Sequence, residues 1–236
     1  MKLFQLMFKR ETLAPMLALS FASMVCVALV LGRMVWTRDT HLGFLIWNLF
    51  LAWMPMVFAM LAREHEKTGG SPGWRFFAFG AAWLLFFPNA PYIFTDIIHL
   101  SHYYSRFWAD LILILINALT GMILGFLSLY LMQSSVRRRA GEWMSWLFIA
   151  AVAVLSGFGI CIGRFVRLNS WDVIMPGKMF HVLGNWARQT PVMYSLGFSI
   201  LFAAFLFVTY LMLYALTHLS PAQLERVPSK NLHEPR

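Results

Sequence analysis

Six long apolar runs dominate the sequence and indicate a helical bundle in a membrane. The runs lie near 15–36, 42–62, 75–98, 107–132, 143–165 and 191–217. At 1.5 Å per residue, each is long enough to cross about 30 Å of hydrocarbon as an α-helix. The chain is 60% apolar and 12% charged, whereas about a quarter of the residues in soluble domains are charged. The sequence therefore predicts an all-α polytopic membrane protein with about six transmembrane helices.

The chain is expected to form one membrane domain over residues 1–219, followed by a polar tail over 220–236. The first run follows Lys2, Lys9 and Arg10, but it is long and no A-x-A cleavage site follows it. We therefore expect a retained helix rather than a cleaved signal peptide. The segment SPAQLERVPSKNLHEPR (220–236) has too little apolar content to pack against the bundle.

The excess of basic residues in the chain indicates lipid rather than nucleic acid as a partner. The net charge is +9, but Lys and Arg stand at the ends of the apolar runs, where they orient helices and contact anionic headgroups. We therefore expect the lipid bilayer as a partner and no nucleic acid. Cys26 and Cys161 lie inside apolar runs without zinc or redox spacing, which is typical of small buried residues.

The distribution of Lys and Arg predicts the orientation of the helices. More of these residues fall on one side, led by VRRR (136–139), and that side is expected to be cytoplasmic. Both termini would then lie in the cytoplasm. In this orientation all four aspartates fall at the outer face and all six glutamates at the inner face.

The stretch FPNAPYIFTDIIHLSHYY (87–104) is expected to break the third helix near its outer end. Pro88 and Pro91 each remove a backbone donor and disfavour helix at the preceding residue. One interpretation is a kink whose free carbonyls are satisfied by neighbouring helices. The other is an opening that lines a pocket, with the Asn89 amide and the Tyr92 hydroxyl turned inward.

Beyond the break, Asp96, His99 and His102 follow at intervals of three. In an α-helix the first two would share a face and the third would drift off it. Three interpretations stay open: a divalent metal site, a metal-free acid–base pair, and an interfacial hydrogen-bond network. A metal would need further ligands, for which the candidates are Asp110, Asp172, His41 and His181.

The stretch GRFVRLNSWD (163–172) ends the fifth helix with two arginines and three further polar residues. Arg164 and Arg167 can present paired guanidinium groups to a phosphate or a carboxylate, with Asn169 and Asp172 beside them. Alternatively, the arginines reach the headgroups or pair with Asp96, Asp110 and Asp172.

Two further patterns concern packing and the membrane surface. Residues 171–191 are too short and too polar to span the bilayer, and the amphipathic part from Met179 to Arg188 predicts a short interfacial helix between helices five and six. This helix would anchor the chain at the surface or cover the site. The G-x-x-x-G pairs at 121/125 and 159/163 favour close helix packing.

The stretches FFPNAPYIFTDIIHL and GRFVRLNSWD together resemble a bacterial family of uncharacterised membrane proteins, domain of unknown function thirteen sixty-one. The resemblance runs from WNLFLAWMP (47–55) to the final helix. It implies a bacterial multi-pass protein of the inner membrane and carries no reaction, substrate or cofactor.

The polar residues expected at the outer face support three functional hypotheses. The first is an enzyme acting on a lipid or lipid-linked substrate. In this hypothesis Asp96 and His99 do acid–base or metal-assisted chemistry, Arg164 and Arg167 hold an anionic group, and Asn89 or Asn169 orients the substrate. The alternatives are a small-solute transporter, with its site at the proline break, and a non-catalytic membrane partner. Polar residues concentrated at one face favour the enzyme over the transporter.

Overall fold

The computed structural model describes residues 13–69, 73–100, 104–166 and 192–218, together with 168, 170, 172, 175, 177, 181, 182 and 184–186. Over these residues the chain is helical, without strands. The helices are α1 (Leu13–Thr37), α2 (Phe44–Gly69), α3 (Trp74–Phe86), α4 (Asn89–Tyr92), α5 (Tyr104–Cys161) and α6 (Val192–Thr217). Short 3₁₀ segments cover His41–Gly43 and Ile93–His99, and a π-helical turn covers Ile162–Val166.

Five helical stretches are long and apolar enough to cross a membrane, which confirms a multi-helix membrane protein. They are Leu13–Thr37, His41–Glu66, Trp74–His99, Arg106–Val166 and Met193–Thr217. The fourth stretch contains two of the predicted runs, 107–132 and 143–165. It divides at Gly141, whose φ of 86° and ψ of 175° lie in a region that is essentially restricted to glycine.

The chain doubles back at Gly141, so the two parts of α5 run side by side. Trp83 of α3 donates a hydrogen bond from its indole N–H to the Ser128 hydroxyl at 3.1 Å and stacks on Phe148 at 5.8 Å. Ser128 and Phe148 stand on opposite sides of Gly141 in the sequence. The predicted runs left residues 133–142 between helices four and five, whereas in the structure only Gly141 departs from helical geometry there.

The predicted third helix is broken at the two prolines, and side chains bond two of the carbonyls before the break. Asn89 donates its side-chain amide to the Phe86 carbonyl at 2.9 Å, and the Ser170 hydroxyl donates to the Leu85 carbonyl at 3.1 Å. Asn89 also donates to the Ser170 oxygen at 3.0 Å. The predicted run 75–98 is thus α-helical to Phe86 and continues, after one short helical turn, as 3₁₀ helix.

Both predicted G-x-x-x-G pairs pack against this broken segment. A Cβ on Gly121 would lie 2.9 Å from the Ala90 carbonyl oxygen, and one on Gly125 would lie 2.9 Å from the Ala90 Cβ. On the second part of α5, a Cβ on Gly159 would lie 3.1 Å from Pro88 Cγ. The broken segment is therefore held between the two parts of α5, and at Gly121 and Gly125 a Cβ could be accommodated only if neighbouring atoms moved.

Acidic residues separate between the two ends of the bundle. Asp39, Asp96, Asp110 and Asp172 lie at one end, called here the aspartate end. At the other, the glutamate end, Glu66 accepts hydrogen bonds from Arg138 at 2.8 Å and Arg139 at 3.2 Å. Residues 220–236 and much of the predicted interfacial helix, including 178–180, 183 and 187–191, lie outside the described residues.

Candidate functional site

A cavity of about 370 Å³ opens at the aspartate end, between α2, the broken segment and the end of α5. Its volume lies within the range of small-molecule sites, which is roughly 300–1,000 Å³. Six of the residues singled out from the sequence line it: Asn89, Tyr92, Asp96, His99, Arg164 and Asp172. The structure thus brings together polar residues from two distant stretches of the chain.

Asp96 is the most deeply buried charged residue of this cavity. Its side chain accepts a hydrogen bond from Arg164 Nη2 on Oδ1 at 2.5 Å and one from Asn48 Nδ2 on Oδ2 at 2.8 Å. Asp96 is only 1% exposed. A buried carboxylate needs such partners, because an unpaired charge there would carry a large desolvation penalty.

Arg164 connects three polar side chains of the broken segment. It donates to Asp96, to His99 Nε2 at 3.3 Å, and from Nε and Nη2 to the Thr95 hydroxyl. Four of its five N–H groups are therefore used within the protein. Its guanidinium also lies 4.5 Å from the centre of the Tyr92 ring, so the Tyr92 ring, as well as its hydroxyl, contributes to the site.

The local helix types explain how one arginine reaches so many partners. In a 3₁₀ helix, residues three apart eclipse each other, so Asp96 and His99 share one face of Ile93–His99 more closely than in the expected α-helix. Arg164 itself lies in the π-helical turn Ile162–Val166. Such turns are frequent at functional sites, because the extra residue changes the direction of the side chains.

The contact with Arg164 fixes the tautomer of neutral His99. A guanidinium can only donate, so Nε2 must accept and the ring proton must stand on Nδ1. The His99 ring also packs edge-on against Phe44 at 5.0 Å and against exposed His41 at 5.9 Å. His99 is therefore oriented from two sides.

Asp110, expected as a metal ligand or a partner of Arg164, belongs to another cluster. Arg33 of α1 donates to both of its carboxylate oxygens, at 3.0 and 3.1 Å, and to Asp39 at 3.0 Å. Hydrogen bonds lower the pKa of the Asp39 carboxyl, and the largest contribution comes from the His41 backbone N–H and the next from Arg33. Asp110 is thus paired with Arg33 away from the cavity, and the candidate pairing with Arg164 is not found for this residue.

The metal hypothesis receives little support from the donor set. Among the residues that the structure describes, no three His, Cys, Asp or Glu side chains lie close enough to share an ion. Both Asp96 oxygens already accept hydrogen bonds, and the Arg164 charge would repel a cation placed beside them. His102, together with Arg167 and Asn169, lies outside the described positions, while His181 is exposed and absent from the cavity wall.

Several polar residues at the aspartate end, two of them beside the cavity, were missed in the sequence. Thr95 and Ser170 are ordinary polar residues without any pattern, and only the fold shows that they accept from Arg164 and Asn89. Arg33 did carry a signal, because a charged residue within an apolar run needs a partner on a neighbouring helix. Asp110, near the start of another run, could have been matched to it.

Comparison with known proteins gives a family and no activity. The family model described as "Protein of unknown function (DUF1361)" matches residues 47–209, more than half of the chain. No curated protein and no solved structure gives a match. The match includes every cavity residue from Trp47 to Asp172, and the resemblance inferred from the two polar stretches is confirmed. The chain belongs to the DUF1361 family of proteins of unknown function.

Proposed function

We propose that this chain is a membrane enzyme that acts on a lipid or lipid-linked substrate at the aspartate end of the bundle. The observation that carries the proposal is the buried Asp96, held by Arg164 and Asn48, on the wall of a cavity that also contains His99. Buried carboxylates and imidazoles that share a cleft are typical of acid–base sites. No motif names the reaction, so the proposal is limited to proton transfer on the substrate.

The proposed topology has six membrane crossings, with Gly141 at the turn between the fourth and the fifth. Both termini lie in the cytoplasm of a bacterial cell, and the aspartate end faces outward across the inner membrane. The excess of Lys and Arg at the glutamate end, including Arg138 and Arg139, supports this orientation. The segment between helices five and six forms an interfacial helix at the outer surface.

In the proposed mechanism Asp96 accepts a proton from a substrate group, and neutral His99 donates a hydrogen bond from Nδ1–H to the negative charge that develops on the substrate. Arg164 donates to the Asp96 carboxylate and fixes the His99 tautomer, so it positions both groups. Asn89, Asn169 and Asp172 orient the polar part of the substrate. Arg167 is the remaining candidate for an anionic group, because most Arg164 donors are already used.

One observation favours a non-catalytic alternative. The bonds among Arg164, Asp96, Thr95 and Asn48 would also suit a cluster that only braces helix ends. The two hypotheses make different predictions for conservative substitutions. If the cluster only braces the helix ends, Asp96→Asn should lower stability and leave activity unchanged. If Asp96 is catalytic, the same variant should lose activity, because an amide does not accept the proton.

The experiment compares Asp96→Asn and His99→Gln with Asp110→Asn as a matched control. Asp96 and Asp110 are 1% and 2% exposed and each pairs with an arginine of another helix, but only Asp96 lines the cavity. Purified protein in nanodiscs of total bacterial lipid is incubated, and the lipids are followed by mass spectrometry.

We expect wild type and Asp110→Asn to convert a lipid, and Asp96→Asn and His99→Gln to do so about 10²–10⁴-fold more slowly. Thermal unfolding of each variant is measured in parallel. If Asp96→Asn and Asp110→Asn lose stability alike and convert lipid equally well, the cluster is a brace and the enzyme proposal fails.

A further inference from the structure

The cavity has two chemically different walls. One wall carries Asp96, His99 and Arg164, and the other is formed by large apolar side chains of α2, α3 and the end of α5. Members of the apolar wall include Phe44, Trp47, Leu51, Leu85, Ile160 and Ile162. A small polar solute would leave this wall in contact with water, at a cost of about 25 cal/mol per Å² of apolar surface.

The apolar wall reaches the outside of the bundle. Trp47 and Leu85 both line the cavity, yet they are 53% and 38% exposed. A side chain that faces both the cavity and the surroundings forms the rim of an opening. Because both residues lie within membrane-spanning stretches, this rim faces lipid rather than water.

The opening is bounded along α2 and α3. Towards the glutamate end, Phe58 of α2 packs against Phe86 of α3 with ring centres 5.6 Å apart, which closes the two helices on each other. Leu51, one turn beyond Trp47 on α2, is buried in the cavity wall. An aliphatic chain lying on Leu51 can therefore leave the cavity sideways, past Trp47 and Leu85.

The polar wall restricts the group that can lie at the other end of such a chain. Arg164 donates most of its N–H groups to Thr95, Asp96 and His99, so it offers little to an incoming anion. The Asp96 carboxylate, in contrast, can only accept hydrogen bonds. A head group that bonds to it must bring a donor, and a hydroxyl group supplies one without adding a buried charge.

We propose that the cavity binds an amphiphile from the bilayer, with a hydroxyl-bearing head at Asp96 and an aliphatic chain that enters between Trp47 and Leu85. The proposal rests on the proposed function and specifies its substrate class and its route. A volume of about 370 Å³ holds the head and the first part of the chain, and the remainder stays in the bilayer. The chain thereby keeps its hydrophobic contacts throughout binding.

The test uses a monoacylglycerol with a photoreactive diazirine in its chain, added to the full chain in nanodiscs. We expect cross-links on peptides containing Leu51 and Leu85. The Leu85→Trp variant, which narrows the opening, should reduce labelling at Leu51 about tenfold, which corresponds to about 1.4 kcal/mol of lost binding free energy. Trp47→Ala, which leaves the opening wide and removes its aromatic rim, should reduce retention of the probe similarly.

The matched control is Phe50→Ala. Phe50 is 50% exposed on the same helix as Trp47 but does not line the cavity, so cross-linking at Leu51 should be unchanged. Equal labelling of the Phe50 and Leu51 side chains in the wild type would indicate ordinary surrounding lipid and overturn the proposal. Competition by free glycerol as strong as by unlabelled monoacylglycerol would also overturn it, because the chain would then add nothing.

Cross-linking of the wild-type protein, measured separately from lipid conversion, separates this proposal from the enzyme proposal. The chain contacts do not depend on proton transfer, so the Leu51 and Leu85 labels should persist even if no lipid is ever converted. Conversely, conversion of a water-soluble compound without labelling of Leu51 and Leu85 would support acid–base chemistry and overturn the amphiphile proposal.

Discussion

Arg33 of α1 and Asp110 of α5 form a two-pronged buried ion pair, with Nε to Oδ1 at 3.0 Å and Nη2 to Oδ2 at 3.1 Å. The family match begins at residue 47, so this pair ties a helix outside the matched region to one inside it. It stands at the same end as the cavity, but its two residues do not line the cavity. The aspartate end therefore contains two separate uses of a buried Arg–Asp pair.

Removing one member of the Arg33–Asp110 pair should destabilise the protein strongly. Asp110→Asn leaves the Arg33 charge with only the half-exposed Asp39, and we expect a loss of roughly 3 kcal/mol. Replacing both by leucine should cost much less, because no buried charge then remains. Unfolding of purified protein in detergent measures both effects. A double variant that is less stable than Asp110→Asn would contradict this account.

Arg164→Lys should disturb His99 more than it disturbs the fold. Lysine keeps the charge but lacks the planar fork that bonds Thr95, Asp96 and His99 together. We expect the preference for the Nδ1–H tautomer of His99 to be lost, as read from the nitrogen chemical shifts of the ring.

The matched variant is Arg137→Lys at the glutamate end, where Arg137 donates to the Tyr214 hydroxyl at 3.1 Å. In Arg137→Lys the nitrogen chemical shifts of the His99 ring should equal those of the wild type. An unchanged tautomer in Arg164→Lys would show that another group fixes His99.

Alanine at the glycines that hold the broken segment should be costly. A Cβ at Gly121 would lie 2.9 Å from the Ala90 carbonyl oxygen, and one at Gly125 would lie 2.9 Å from the Ala90 Cβ. Overpacking of this kind costs about 1–3 kcal/mol. At Gly197 of α6 no atom lies within 4 Å of such a Cβ, so Gly197→Ala should be neutral or slightly stabilising. Melting temperatures that rank the three variants otherwise would refute the packing argument.

Cysteine labelling tests the orientation directly. Thr40 at the aspartate end and Ala140 at the glutamate end are both exposed, and the native Cys26 and Cys161 are buried, so they form an unreactive background. In intact cells a membrane-impermeant maleimide should label Thr40→Cys and spare Ala140→Cys. The reverse result would place the cavity at the cytoplasmic face.

The sequence by itself determined the helical membrane class, the separation of aspartates from glutamates and the proline break. Run length, charge position and missing N–H groups are local properties, and they do not depend on which helices become neighbours. The polar stretches at 87–104 and 163–172 were therefore recognisable before any contact was known.

Only the tertiary structure decided which of these polar residues meet. Asp96, Asp110 and Asp172 looked equivalent along the chain. In the structure Arg33 pairs with Asp110, and Arg164 pairs with Asp96. Contacts between distant residues also bring the 3₁₀ segment and the π-helical turn together, since Ile93 lies beside Gly121 and Tyr92 lies beside Gly163. The choice of partner depends on distances between residues far apart in sequence, and these distances are fixed by the close contacts of the assembled helices.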